Sequence, residues 1–153
     1  MRKNAVKYKI DPYIIAAIVW TESAGDPWAI RFEPAWSRYL SARDFAENVG
    51  STLETEEISQ ATSWGYMQIM GTTARSLGFK GFLPGLCRPG VNINYGTKFL
   101  KEVWEKYDGP ENAIASYNAG KPRLTPGGMF KNQTYVDKVM GKYRVLRELQ
   151  YLK

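Results

Sequence analysis

Histidine is missing from all 153 residues, and cysteine occurs once. Without histidine there is no Ser-His-Asp or Cys-His catalysis, and the commonest zinc ligand is gone. Cys87 has no second cysteine with which to form an internal disulfide or a thiolate metal cluster. In Gly-Leu-Cys87-Arg-Pro-Gly it has no base to activate it, and it reads as a small packed side chain. No apolar run is long enough to cross a membrane. A GxxxxGK phosphate loop, zinc-finger spacing and RNP-type aromatic blocks are all absent. With those alternatives removed, a carboxyl group is the first candidate for chemistry, and no metal or cofactor is expected.

What is present describes a globular chain: 44% hydrophobic and 14% aromatic residues, enough for one continuous core and one domain over 1–153. The net charge of +6 implies attraction to polyanions. Its lysines and arginines are scattered, so nucleic acid is not the expected partner. An anionic cell-wall polymer, a phospholipid surface, or a solvated basic face with no partner fits the charge equally well. Near the start, Arg2, Lys3, Lys7 and Lys9 precede the apolar stretch 13–20 in a passable imitation of a secretion signal. Cleavage near Ser23-Ala24-Gly25 would remove Glu22, and Asp11-Pro12 has the form of a helix cap with proline at the first helical position. The stretch is therefore read as a core helix, with export left to another route or to an upstream signal.

Spacing of apolar residues predicts an all-α or nearly all-α domain. A first helix over 12–22 places Ile15, Ile18, Val19 and Glu22 on one face. A second is expected from Pro34 through Trp36, Tyr39, Leu40 and Phe45 to Gly50. Ser51-Thr-Leu-Glu54 resembles a capping box opening a short helix. Residues 64–70 read as a turn or short extended piece, Thr72 as the cap of a helix ending at Gly78, and 79–90 as a loop. Tyr95, Phe99, Leu100, Val103, Trp104 and Tyr107 mark an amphipathic helix. Further helices are expected over 110–118 and 133–149.

Glu22 combines three features that favour a protonated carboxyl near neutral pH. It shares the apolar face of its helix, it lies in the last turn among carbonyl dipoles, and no lysine or arginine lies within one helical turn in sequence. Its pKa is accordingly expected above the model-peptide value of ~4.3. Such a group can act as a general acid on a glycosidic bond. From this helix alone, a solvent-facing glutamate that merely finishes the helix is the more ordinary reading.

The order of Glu22-Ser23, Gly65-Tyr-Met-Gln-Ile-Met70, Ala115-Ser-Tyr-Asn-Ala-Gly120 and Thr134-Tyr-Val136 resembles the lytic transglycosylases of the soluble type, relatives of goose-type lysozymes. Asp11-Pro12 and Gly71-Thr-Thr-Ala-Arg75 are similar to that family as well. The resemblance implies a lysozyme-like domain with a central substrate cleft and Glu22 as sole acid/base. It puts Ser23 beside the acid and makes Gly65, Met67 and Gln68 the lining of the sugar cleft, with Gln68 bonding substrate. Tyr66 stands where leucine is commoner. Tyr117 and Asn118 match a tyrosine-asparagine pair whose tyrosine approaches the acid, and Tyr135 borders the same cleft. The implied substrate is peptidoglycan, cleaved to a 1,6-anhydromuramic end at the cell wall or periplasm by a monomer.

The segment between Glu22 and Gly65 is longer than the shortest members of that family have. It carries Glu33, Asp44, Glu47, Glu54, Glu56 and Glu57. A second carboxylate there, Glu33 first among them, would permit a hydrolytic muramidase or chitinase of the goose-type lysozyme kind. Trp28, Phe32, Trp36 and Tyr39 suggest an aromatic wall for pyranose rings. Two further alternatives stand: an inactive glycan-binding or structural module and, more distantly, a basic nucleic-acid binder.

Overall fold

The structure, a computed structural model, describes residues 1–149. In chain order its elements are α1 (Arg2–Tyr8), α2 (Pro12–Ser23), β1 (Ile30–Phe32), α3 (Ala42–Val49), α4 (Leu53–Gln60), β2 (Thr62–Trp64), β3 (Ile69–Met70) and α5 (Gly71–Ser76). A 3-10 turn over Leu83–Cys87 then leads to α6 (Pro89–Lys106), α7 (Pro110–Ala119) and α8 (Gln133–Glu148). The mostly helical class expected from the sequence is what forms, with one small sheet added. The chain groups into two compact units, residues 1–21 with 97 onward, and residues 22–96. The expected single domain over 1–153 extends to residues 150–153, which lie outside the described residues.

In the first unit the basic start is a helix. Lys9 takes the left-handed conformation that closes α1, and Ile10 returns its N–H to the Ala5 carbonyl at 3.1 Å, becoming buried. Asp11 then caps α2 as expected, its Oδ1 accepting from the Tyr13 N–H at 2.8 Å. The other Asp11 oxygen accepts from the Tyr143 hydroxyl of α8 at 3.1 Å. Ile14, Ile15, Ala17, Ile18 and Val19 of α2 are buried, as are Leu100, Val103, Ala113, Ile114, Ala115, Val136, Val139 and Leu146. These are the helical-spacing positions, so the unit follows its apolar stripes closely.

The second unit departs further from expectation. No helix starts at Pro34. Residues 30–32 are a strand, the backbone is irregular as far as Ser41, and only Ala42–Val49 is helical. Side-chain competition explains the difference. Gln60 accepts from the Leu40 N–H at 2.7 Å and donates to the Leu40 carbonyl at 2.9 Å, taking backbone groups that a helix would have used. The Glu33 N–H donates to the Ala61 carbonyl at 2.9 Å and prolongs sheet pairing. The sheet is antiparallel in the order β1-β2-β3, with Ile30 opposite Trp64, Phe32 opposite Thr62 and Trp64 opposite Ile69. Strands of three, three and two residues are too short to show a period-two pattern. Two caps shift by a residue or two. Thr52, rather than Ser51, accepts from the Thr55 N–H to open α4. Thr72 lies inside α5, its hydroxyl donating to the Gln60 carbonyl at 3.1 Å.

The core of this unit contains an ion pair. Glu56 and Arg75 are 1% and 0% exposed and meet in a two-pronged contact, with Nε to Oε1 and Nη2 to Oε2 both at 2.8 Å. Arg75 Nη1 donates to the carbonyls of Phe79 and Gly81, and Gln60 Nε2 donates to Glu56 Oε1. The guanidinium also lies 4.3 Å from the centroid of the Phe45 ring. Burial of both charges is costly, and complete hydrogen bonding offsets the cost. Arg75→Met should therefore lower unfolding free energy in urea by about 3–5 kcal/mol, because Glu56 is left as a buried, unmatched charge. Adding Glu56→Leu should restore most of it. A single variant within about 1 kcal/mol of the parent would contradict that role for the pair.

Candidate active site

Glu22 is the penultimate residue of α2 and is half-buried. In the first unit, Lys142 of α8 donates to the Trp20 carbonyl at 2.9 Å and lies 5.1 Å from the Trp20 ring centroid. Carbonyls in a last helical turn lack intrahelical partners, and a cation there offsets the negative end of the helix dipole. Sequence spacing placed no basic residue within one turn of Glu22; within the first unit the fold brings Lys142 to the Trp20 carbonyl from far along the chain. Burial, and then the neighbouring Lys138, pull the Lys142 ammonium below the usual lysine range.

Within the second unit, Ser23 ties the end of α2 to the block expected to line a sugar cleft. Its hydroxyl donates to the Tyr66 carbonyl at 2.9 Å and accepts from the Gly25 N–H at 3.2 Å. The block itself is the turn between β2 and β3. Gly65 enters it at φ +63°, and a Cβ there would stand 2.6 Å from Asn92 Nδ2, so both conformation and space demand glycine. Gln68 leaves it at φ +45°, a left-handed conformation that is uncommon outside glycine and is favoured at constrained sites.

Asn92 of α6, fully buried, holds this turn from beneath. Its Oδ1 accepts from the Met67 N–H at 2.8 Å, and its Nδ2 donates to the carbonyls of Trp64 at 2.7 Å and Leu86 at 2.9 Å. Met67 is itself buried, and Gly96 admits it closely: a Cβ there would come within 2.5 Å of the Met67 sulfur. Gln68 donates both amide hydrogens inward, to the carbonyls of Ala29 and Gly65, each at 2.9 Å. Among the described residues nothing donates to its Oε1. The half-buried side chain therefore has an acceptor, not a donor, to offer a ligand.

The remaining expected residues belong to the first unit. Tyr117 is buried near the end of α7, its ring 5.2 Å from that of Phe99 at 47°. Asn118 is exposed, its Oδ1 accepting from Asn132 Nδ2 at 3.0 Å. The same nitrogen donates to the Ala115 carbonyl and so fastens the start of α8 to α7. Tyr135 is half-buried in the first turn of α8.

The family profile of the transglycosylase SLT domain matches residues 1–126. The chain belongs to that family. One relative, the "Transglycosylase" of Enterobacteria phage PRD1, is 26% identical over 142 residues, covering 93% of this chain and 41% of that protein. The chain thus spans about two fifths of that relative's length. No solved structure matches it.

In this SLT-family chain the matched range contains every expected site residue except Tyr135. The carboxylates of the long segment separate by environment. Glu56 is enclosed in its pair with Arg75. Glu33 follows β1 instead of opening a helix, and its Oε1, itself a buried atom, lies 2.6 Å from Nε of the largely exposed Arg31. Cys87 is buried, and burial followed by the charge of Asp26 push its thiol up, which suits a packed and unreactive side chain. Asn92 escaped the sequence reading. An asparagine just before the apolar stripe of α6 was the available signal, since a buried amide must find partners.

Asn92→Ala should remove the partners of three buried backbone groups. The expected loss is at least about 1–3 kcal/mol in thermal unfolding, together with faster proteolysis within 64–68. Unchanged melting with an intact turn would show that Asn92 does not organise the block.

Proposed function

We propose that this chain is a lytic transglycosylase that cleaves the β-1,4 bond between N-acetylmuramic acid and N-acetylglucosamine in peptidoglycan. The observation that carries the reading is the bond from Ser23 to Tyr66, which joins the helix end bearing Glu22 to the Gly65–Gln68 turn within one compact unit. Family membership supports it independently.

Glu22 is the sole acid and base. Protonated, it donates to the bridging oxygen as the bond from that oxygen to the muramic C1 breaks. Positive charge grows at C1, where the substrate's own N-acetyl group assists. The carboxylate so formed takes the proton of the muramic C6 hydroxyl as that oxygen bonds to C1 and closes the 1,6-anhydro ring. No water is consumed and one proton shuttles through one carboxyl group, which sets this route apart from the two-carboxylate schemes. Gln68 accepts a hydrogen bond from a sugar N–H or hydroxyl through Oε1. Ser23, Gly65 and Met67 keep acid and turn in register. The site of action is the cell wall, and neither metal nor cofactor takes part.

A hydrolytic reading needs a second carboxylate that can hold water, and Glu33 is the residue to test. The pairing of its buried Oε1 with Arg31 favours a structural role instead. Glu22→Gln should abolish the clearing of a turbid cell-wall suspension, by at least about a thousandfold in rate, with an unchanged circular dichroism spectrum. Appreciable clearing by that variant would remove Glu22 from the chemistry. Glu33→Gln should keep most of the rate. Collapse of its rate in a folded protein would favour the muramidase or chitinase alternative.

A further inference from the structure

Three large apolar side chains stand exposed where β1 begins and runs: Trp28 at 73%, Ile30 at 62% and Phe32 at 51%. Ile30 and Phe32 point to the same side of the strand, since alternate residues share a face. Among the described residues β1 is an edge strand, paired only with β2. The other aromatics of the segment are turned to local duties. Trp36 is half-buried with its indole N–H shared between the Arg38 carbonyl and the Thr72 hydroxyl, and the Tyr39 hydroxyl donates to the Trp36 carbonyl.

We propose that Trp28, with Ile30 and Phe32, forms a glycan-binding platform that extends the sugar site along the strand, taking the apolar face of a β-1,4-linked N-acetylated pyranose. The inference rests on the peptidoglycan reading above and names a subsite for it. Its basis is continuity. The Ala29 carbonyl accepts from the Gly65 N–H at 2.7 Å and from Gln68 Nε2 at 2.9 Å, so the residues on either side of it are fastened to the turn assigned to sugar lining. Trp28 is further fixed by its own N–H, which donates to Asp26 Oδ1 at 2.8 Å. An indole held at its backbone offers a broad ring at little cost in conformational freedom, with an N–H available for a hydroxyl. Charge is also complementary. Arg31 is exposed beside its partner Glu33, the chain is net +6, and peptide stems on a glycan strand carry carboxylates.

The test uses the full chain carrying Glu22→Gln, so that the strand is bound and not consumed, and measures sedimentation with purified peptidoglycan sacculi. Trp28→Ala in that background should weaken binding by about tenfold, and Trp28→Phe should keep most of it. Ile58→Ala, which removes another exposed apolar group, on α4, should leave binding unchanged. The proposal is overturned if Trp28→Ala binds as tightly as its parent, or if Ile58→Ala weakens binding as much. It is equally overturned if Trp28→Ala loses affinity for anionic phospholipid vesicles but not for sacculi. Wall clearing by the unsubstituted chain together with full binding by Trp28→Ala would sink the platform alone. Lost binding by Trp28→Ala with no clearing by the unsubstituted chain would sink the catalytic reading and leave the platform standing.

Discussion

The side-chain amide of Asn92 holds together the tail of β2, the turn after it and the 3-10 segment before α6, through Met67, Trp64 and Leu86. A buried amide so engaged fixes position closely, because any shift of the turn strands a polar group away from water. Gly65 and Gly96 are what permit the approach, one beneath the amide and one beside Met67. From this anchor follow the left-handed Gln68, the inward direction of its two amide hydrogens, the hold on Ala29 and the entry of β1. The hydroxyl of Ser23 brings the last turn of α2 to the same turn at Tyr66. Glu22 therefore sits on an element whose end is fastened.

Where one face of a helix carries the core, the amino-acid order announced the element. α2, α6, α7 and α8 appear within a residue or two at their clearest ends, and their buried positions are those of the apolar stripes. Asp11-Pro12 was legible because a cap and a helix-starting proline act locally. The segment between Glu22 and Gly65 was not legible, because backbone groups in it are satisfied by distant side chains. Gln60 reaches back to Leu40, and Arg75 to Glu56, across many residues. A local pattern cannot register such partners, so Pro34 and the aromatics after it suggested a helix that tertiary bonding prevents.

The candidate site shows the same division. The blocks around Glu22, Gly65–Met70 and Tyr117-Asn118 stood out as motifs, and the structure gives several of their members positive local duties: Ser23 to Tyr66, Met67 to Asn92, Asn118 to Asn132. Asn132 and Lys142 carry no sequence signature of their own, and Asn92 offered only its place just before the apolar stripe of α6. Lys142 in particular reaches the Trp20 carbonyl only because α8 folds back to α2 within the first unit. Supporting groups of this kind decide how a motif is presented, and they are visible only when the chain is folded. In the second unit an enclosed ion pair joins α4 to α5, while Trp28 just before β1 and Ile30 and Phe32 on it stand exposed.

Product mass is the most direct measurement of whether one carboxyl group manages both proton transfers. Purified peptidoglycan digested by this chain should yield muramic ends lighter by one water than a hydrolysed end and lacking a reducing group. Fully hydrated, reducing ends would contradict the single-glutamate mechanism and require a water-activating base elsewhere in the protein.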